Sequence, residues 1–409
     1  MKRSLSLLAF LSIAALSYAV PARPGVFSYA QSDGTTVEIK KLGDENFHFF
    51  MTTDNAFVMR GNDNNFYFAE IGIDGKPQPS KVLAADPSKR SHKQTAFLDS
   101  IGREPIVNAY QSAHREARSN GRQTGSNSVP STPRPAQSTN PSIGVGLFPG
   151  STFPDTGSPH VLVILVEYSN VKFTIDDPHT YFNNILNTPC YTGYGATGSA
   201  RDYFSNASNG KFTPIFDVYG PVTLDNTMEY YGANNSYGND KLPQLMAVHA
   251  CNALDSTVNF ADYDTDGDGS IDNVYIFYAG YGENYSGTDP NCIWPHAWYV
   301  KSGAGLYKKY DSKYLDRYAC SNEYMFGYDK PEGIGTFCHE FSHVVGIADL
   351  YDTVYGSAEA ATPGSYDIMD MGSYNNDGRT PSTYSIFERN AHGWADIEVI
   401  SEEDAEDIS

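Results

Sequence analysis

Cysteine is scarce in this chain, positive charge is outnumbered, and long apolar runs are confined to one end. Five cysteines occur among 409 residues, none spaced as Cys-x-x-Cys, so neither a thiolate zinc cluster nor a dithiol redox motif has support. Lys and Arg number 28 against 49 Asp and Glu, a formal net charge of -21. Such a field repels phosphate backbones and anionic bilayers, which disfavours sequence-independent nucleic-acid binding and electrostatic membrane association. Beyond the N-terminus no stretch approaches the roughly 20 apolar residues of a membrane-spanning helix, so the mature form is expected to have no membrane span.

The N-terminal apolar run is short and has a basic start. Lys2 and Arg3 precede residues 5–15, and Ser17 and Ala19 are small, the layout of a secretory signal peptide. Cleavage is expected after Ala19, with Ala22 as a second site, and the product is expected outside the cytoplasm, either secreted or in the periplasm or at the cell surface. In an oxidising compartment Cys190, Cys251, Cys292, Cys320 and Cys338 permit up to two disulfides and leave one thiol over, with the pairing undetermined.

Composition then divides the chain. In residues 27–76, short β-branched and aromatic runs alternate with turn pairs such as Asp33-Gly34, Asn62-Asp63 and Asp74-Gly75, which predicts a small β-meander. Residues 88–122 are basic and helix-permissive, and 119–144 collect Ser, Pro, Gly, Thr and Asn, the composition of a linker. The layout read here is 1–19 signal peptide, 20–100 β-rich unit, 101–145 basic segment and flexible linker, and 146–409 a larger domain. In that domain residues 161–166 suit a strand buried on both faces, Ser199 with Asp202 starts a helix, 211–218 alternate as a strand, Leu242, Leu245, Met246 and His249 recur at helical spacing, and 274–279 form another strand. Strand and helix alternate, so an α/β or α+β domain with a mixed sheet is expected.

The most informative stretch runs from residue 335 to 352. Ile334, Phe337, Phe341, Val344 and Val345 make an apolar stripe at helical spacing, which leaves His339 and His343 one turn apart on another face, able to chelate one ion. Glu340, rotated by about 100° from His339, aims at a water beside the metal and is the candidate general base. Gly346 stops the helix in the left-handed conformation, and the reversal returns Asp349 as a third ligand. Two His, one Asp and an open fourth position suit catalytic rather than structural zinc. A chance His-Glu-x-x-His arises on the order of once per hundred chains of this composition, and requiring Gly346 and Asp349 lowers that to on the order of one in ten thousand.

With Tyr366-Asp367-Ile368-Met369 and Gly372-Ser373-Tyr374 following it, this stretch resembles the immune inhibitor A family of secreted, metzincin-like metalloproteases. Residues 195–220, 262–283, 293–296 and Trp394 are similar to other blocks of that family, so the resemblance covers roughly residues 145–396. It implies an α+β metzincin-like catalytic domain with a zinc-binding helix, zinc ligands His339, His343 and Asp349, catalytic Glu340, and a Met-turn for which Met369 is chosen and Met371 fits almost as well. It also implies that the β-rich segment is a pro-domain, released by an activating protease in the linker, where Arg115, Arg118 and Arg122 offer cuts. No Cys lies between Pro21 and Pro189, so latency by a thiolate is excluded and a carboxylate or steric blockage remains. The expected reaction is hydrolysis of protein or peptide substrates, with Tyr374 a candidate donor to the oxyanion.

Acids at alternate positions in Asp262, Asp264, Asp266, Asp268 and Asp272, with Gly269 sixth and Ile271 eighth when Asp264 is counted first, resemble an EF-hand-type calcium loop. Tyr275 replaces the bidentate Glu at the twelfth position, and a strand follows rather than a helix. The expected cofactors are catalytic Zn2+ and structural Ca2+. His296 reads as a structural histidine and Cys338 as a packing or disulfide residue. The competing reading is an exported calcium-dependent binding or adhesion module with a structural metal site, which has no use for Glu340.

Overall fold

Apolar and polar residues alternate along the first strands, and each turn pair sends the chain back beside its neighbour. In the computed structural model, which describes residues 19–121, 151, 153–235, 238–285, 287, 290–327, 330–352 and 361–397, strands β1 (Phe27–Ala30), β2 (Thr36–Gly43), β3 (His48–Thr52), β4 (Phe57–Arg60), β5 (Phe66–Ile71) and β6 (Pro77–Leu83) form one antiparallel sheet in sequence order. Helices α1 (His92–Ile101) and α2 (Arg103–Gly121) follow. Ser91 caps α1 in a capping box with Gln94. Both helices fall in the stretch 88–122 read as helix-permissive. Ile106 and Tyr110, four residues apart, form a stripe that packs on Phe49 and Phe57 of the sheet, with the Phe57 and Tyr110 rings stacked at 4.4 Å.

The larger unit contains β7 (His160–Glu167), α3 (Pro178–Asn187), α4 (Ala200–Ala207), β8 (Ile215–Thr223), α5 (Met228–Gly232), α6 (Pro243–Leu254), β9 (Ser270–Ile271), β10 (Val274–Tyr281), β11 (His296–Tyr299), β12 (Lys309–Tyr310), β13 (Lys313–Leu315), β14 (Arg317–Tyr324), α7 (Gly335–Val345) and α8 (Ile386–Ala391). Its main sheet runs β11-β14-β10-β7-β8. The pairs β14/β10, β10/β7 and β7/β8 are parallel and β11/β14 is antiparallel, so the fold is α+β with a mixed sheet. β7 and β10 are buried on both faces, which explains their unbroken apolar runs. One face packs Val163, Leu165 and Phe277 against α3, α4 and α7; the other packs Leu162, Ile164 and Tyr278 against α6.

Two expectations change. β8 starts at Ile215 rather than residue 211, because Phe212 donates its backbone N–H to the Ser208 hydroxyl and closes the turn after α4. The five cysteines are thiols, four buried and Cys190 exposed; Cys338 lies in the core on one face of the sheet, whereas Cys251 and Cys320 lie on the other. No helix among the described residues is long and apolar enough to cross a membrane. Residues 1–18, most of the expected linker and the acidic tail lie outside the described residues.

Candidate metal centre and the cleft around it

Helix α7 is buried along its whole length, its apolar stripe turned into the core. Gly346 ends it in the left-handed region at φ 107°, and the chain reverses so that the Ile347 carbonyl accepts from His343 Nδ1 at 2.8 Å. His339 Nδ1 is held by the Ile368 carbonyl at 2.7 Å. Both imidazoles are thereby oriented through Nδ1, which turns their Nε2 atoms inward, the outer-shell arrangement of metal-binding histidines. The Nε2 atoms lie 3.2 Å apart, and Asp349 Oδ1 is 3.1 Å from His339 Nε2 and 3.3 Å from His343 Nε2. A tetrahedral ion with bonds of about 2.0–2.1 Å separates its ligand atoms by about 3.3 Å, so the three atoms fit the corners of a zinc site. Met369 is fully buried in the core cluster that contains Phe337 and Phe341, and its carbonyl accepts from Leu350 N at 2.9 Å. Met371 is only half-buried.

Glu340 is fully buried. Burial pushes its carboxyl well above the usual carboxylate range; the Asp349 and Glu45 carboxylates add to the rise, and a hydrogen bond from Val20 opposes it. That bond, Val20 N to Glu340 Oε1 at 2.7 Å, joins residues 320 apart in sequence. The segment around it fills the cleft. Tyr351 donates to the Ala19 carbonyl at 2.8 Å, Trp294 Nε1 to the Val20 carbonyl at 2.9 Å and Tyr374 to the Pro21 carbonyl at 2.6 Å, so three side chains read three successive peptide carbonyls. Arg23 N donates to the Asn284 carbonyl at 2.9 Å, and its guanidinium meets Asp377 at 2.6 Å. Tyr374 was a candidate from sequence, whereas Tyr351, Asn284 and Trp294 had no catalytic signal there.

Of the acidic loop, Asp264, Asp266 and Asp268 bring carboxylate oxygens within 4.8 Å of one another. Asp264 Oδ2 accepts from Gly269 N and from Lys313 Nζ at 2.6 Å, while its buried Oδ1 has no hydrogen-bond partner among the described residues, a donor atom that a cation would satisfy. The other two expected ligands make hydrogen bonds of their own: Asp262 accepts from Asn259 Nδ2 at 2.8 Å, and Asp272 accepts from Thr265 N and Oγ1 within the loop. Burial, with Asp266 and Asp264 nearby, pushes Asp272 up to about 6. His296 is structural, with Nδ1 on the Trp294 carbonyl and Nε2 on the Tyr318 hydroxyl at 2.6 and 2.7 Å; burial drives it down to about 4.

A mixed sheet backed by a helix that carries two histidines and a glutamate, opening on a cleft that holds an extended peptide, defines a metallopeptidase domain. Residues 155–396 match the Immune inhibitor A peptidase M6 catalytic domain, more than half of the chain, and the chain belongs to that family, as the motif resemblance implied. It is similar to Immune inhibitor A of Bacillus thuringiensis subsp. alesti, 28% identical over 290 residues that make up 59% of this chain and 42% of the relative. It is also similar to the pre-pro-metalloprotease PrtV of Vibrio cholerae serotype O1, 26% identical over 233 residues, 51% of this chain and 25% of the relative. The chain thus spans less than half the length of these curated relatives.

Proposed function

We propose that the chain is an exported zinc-dependent endopeptidase made as a zymogen, with a metzincin-like catalytic domain in 146–409, a pro-domain in 20–100 and processing in the linker. The observation that carries this reading is the peptide of residues 19–23 lying in the cleft, its carbonyls held by Tyr351, Trp294 and Tyr374 and one of its amides on Glu340. A cleft that binds one extended peptide through its backbone can bind another. Nothing on the binding-module side accounts for Glu340 at that position.

His339, His343 and Asp349 hold the zinc, which when bound supplies Lewis acidity toward the scissile carbonyl and acidifies adjacent water. Glu340 takes a proton from the attacking water and returns it to the leaving nitrogen. Val20 N marks where that nitrogen sits, 2.7 Å from Oε1. By the same register Tyr351, on the carbonyl of the Ala19–Val20 peptide, is the nearer donor to the developing oxyanion, and Tyr374, on the Pro21 carbonyl, aligns the strand further along. No covalent intermediate is required.

Latency is then steric. Residues 20–23, which remain after cleavage behind Ala19, occupy the substrate's path and cover Glu340, and Glu45 of the N-terminal unit lends a carboxylate field. Arg115 and Arg118 are poor activation cuts because both lie inside α2, and proteases take extended chain; Arg122 lies outside the described residues. A structural calcium, held by Asp264, Asp266 and Asp268 without Asp262 or Asp272, completes the reading. Its test is a time course with casein: the intact chain is expected to be inert and the linker-cleaved chain active, and equal activity in both would remove the zymogen.

A further inference from the structure

Beside the cleft, the N-terminal unit plants a lysine in an acidic recess of the larger one. Lys41 is 4% exposed. Its Nζ donates to the Glu283 carbonyl at 2.6 Å, lies 3.4 Å from Glu283 Oε1, and sits 4.5 Å from the centre of the Trp294 ring. His48 stacks on the same indole at 5.1 Å and reaches Glu283 Oε1 at 3.3 Å. The receiving walls are the larger unit's own. Asn234 Nδ2 donates to Glu283 Oε1 at 2.9 Å, and Trp294 N donates to Asp240 Oδ2 at 3.0 Å. Asp240 Oδ1 is shielded from solvent and has no hydrogen-bond partner among the described residues. A carboxylate, a second acid, a backbone carbonyl and an aromatic face together make a receptor for an ammonium or guanidinium group.

The recess adjoins the catalytic position. Trp294, its aromatic wall, donates through Nε1 to the carbonyl of Val20, the residue whose amide meets Glu340. Asn284, next to Glu283 in sequence, accepts from Arg23 N and donates through Nδ2 to Tyr374. The strip 283–284 thus lines the peptide path with one residue and the recess with the other.

We infer that this recess, formed by Glu283, Asp240, Asn234 and Trp294, is a substrate subsite that selects a lysine or arginine side chain close to the scissile bond, and that Lys41 fills it as a surrogate until the N-terminal unit leaves. The inference rests on the peptidase reading above. Once Lys41 withdraws, Glu283 is a carboxylate left in a half-dry pocket without its cation, and a basic substrate side chain restores the pair. A neutral side chain of the same length leaves it uncompensated, so discrimination on the order of tenfold to a hundredfold in kcat/KM is expected.

The test uses the full chain after linker cleavage, loaded with zinc. Peptide series carrying lysine, Nε-acetyl-lysine or norleucine at each position from the third before to the third after a single cleavable bond are compared by kcat/KM. The expected result is a lysine preference of tenfold or more at one position and none elsewhere, brought toward one by Glu283→Gln. Because a buried Glu283→Gln protein can fail to fold, Asn234→Lys, which puts a resident ammonium at the half-buried wall of the recess, is made alongside and is expected to do the same. Cleavage at equal rates for all three side chains at every position, or a lysine preference that survives both substitutions, overturns the subsite while leaving a peptidase. Failure to cleave any peptide overturns the peptidase reading and the subsite with it.

Discussion

Three atoms about 3.2 Å apart, on two histidines and one aspartate, are the smallest unit on which the chemistry rests. Each histidine is held through Nδ1 by a backbone carbonyl, so ring orientation is set before any metal arrives. Removing zinc is therefore expected to lower stability as well as activity: a nanomolar Kd against micromolar free zinc corresponds to roughly 4 kcal/mol. Calorimetry of the processed chain with and without chelator checks this, and an unchanged Tm would argue against a tightly held ion. The two tyrosines separate by role. Tyr351→Phe is expected to lower kcat by about tenfold to a hundredfold with little change in KM, whereas Tyr374→Phe is expected to act more on KM. Steady-state kinetics on one peptide resolves the two, and the reverse pattern would move the oxyanion contact to Tyr374. The clustering of His339, His343 and Asp349, with Glu340 beside them, was legible in the sequence because these residues fall within one helix and its reversal. Tyr351, Trp294 and Asn284 were not, because separate parts of the chain bring them to the cleft, where they meet residues 19–23 and, for Asn284, Tyr374.

At the scale of elements, α7 and the turn after it do the positioning. Gly346, at φ 107°, permits the reversal that sends Ile347 to His343 and Asp349 beside the Nε2 atoms of both histidines. Gly346→Ala is expected to cost about 1–2 kcal/mol through its Cβ in the left-handed region and to weaken zinc binding; urea unfolding and a zinc titration read the two effects. The acidic loop before β9 carries a separate expectation. Millimolar calcium should raise Tm in the wild type and not in Asp266→Asn, and equal shifts in both would remove the ion from that loop. Element types were largely readable from period and turn residues: the capping box at Ser199 and the buried strand at β7 both appeared as expected. β6 was missed because Pro77 and Pro79 hide an edge strand, where prolines are tolerated. α2 falls in the stretch read as basic and helix-permissive, but its mean composition is polar, and only the spacing of Ile106 and Tyr110 marks the buried face.

Across the whole molecule, two units meet over the cleft. Terminal residues are by default exposed, so nothing in the sequence marked residues 19–22 as buried, yet they lie beneath the peptide-reading side chains. Behind the Met369 turn, a buried acid sets a pH dependence of stability. Burial, and then the neighbouring Asp367, push Glu388 up to about 8. An unfolded Glu titrates at about 4.3; above that pH the unfolded chain releases a proton that the folded chain keeps. Stability therefore falls as pH rises from about 4.3 to about 8, by up to about 1.4 kcal/mol per unit, and levels off beyond. Glu388→Gln removes that slope, so its Tm relative to wild type is expected to be higher at pH 8 than at pH 5, and thermal melts across that range decide it.

The central claim, that Glu340 serves as the base of a zinc peptidase, is tested most directly by comparing the linker-cleaved wild type with Glu340→Gln on casein, with zinc content measured in both. The account predicts stoichiometric zinc in each and a loss of at least a hundredfold in hydrolysis by the variant. Stoichiometric zinc with no hydrolysis by the cleaved wild type, or full activity in Glu340→Gln, would contradict it.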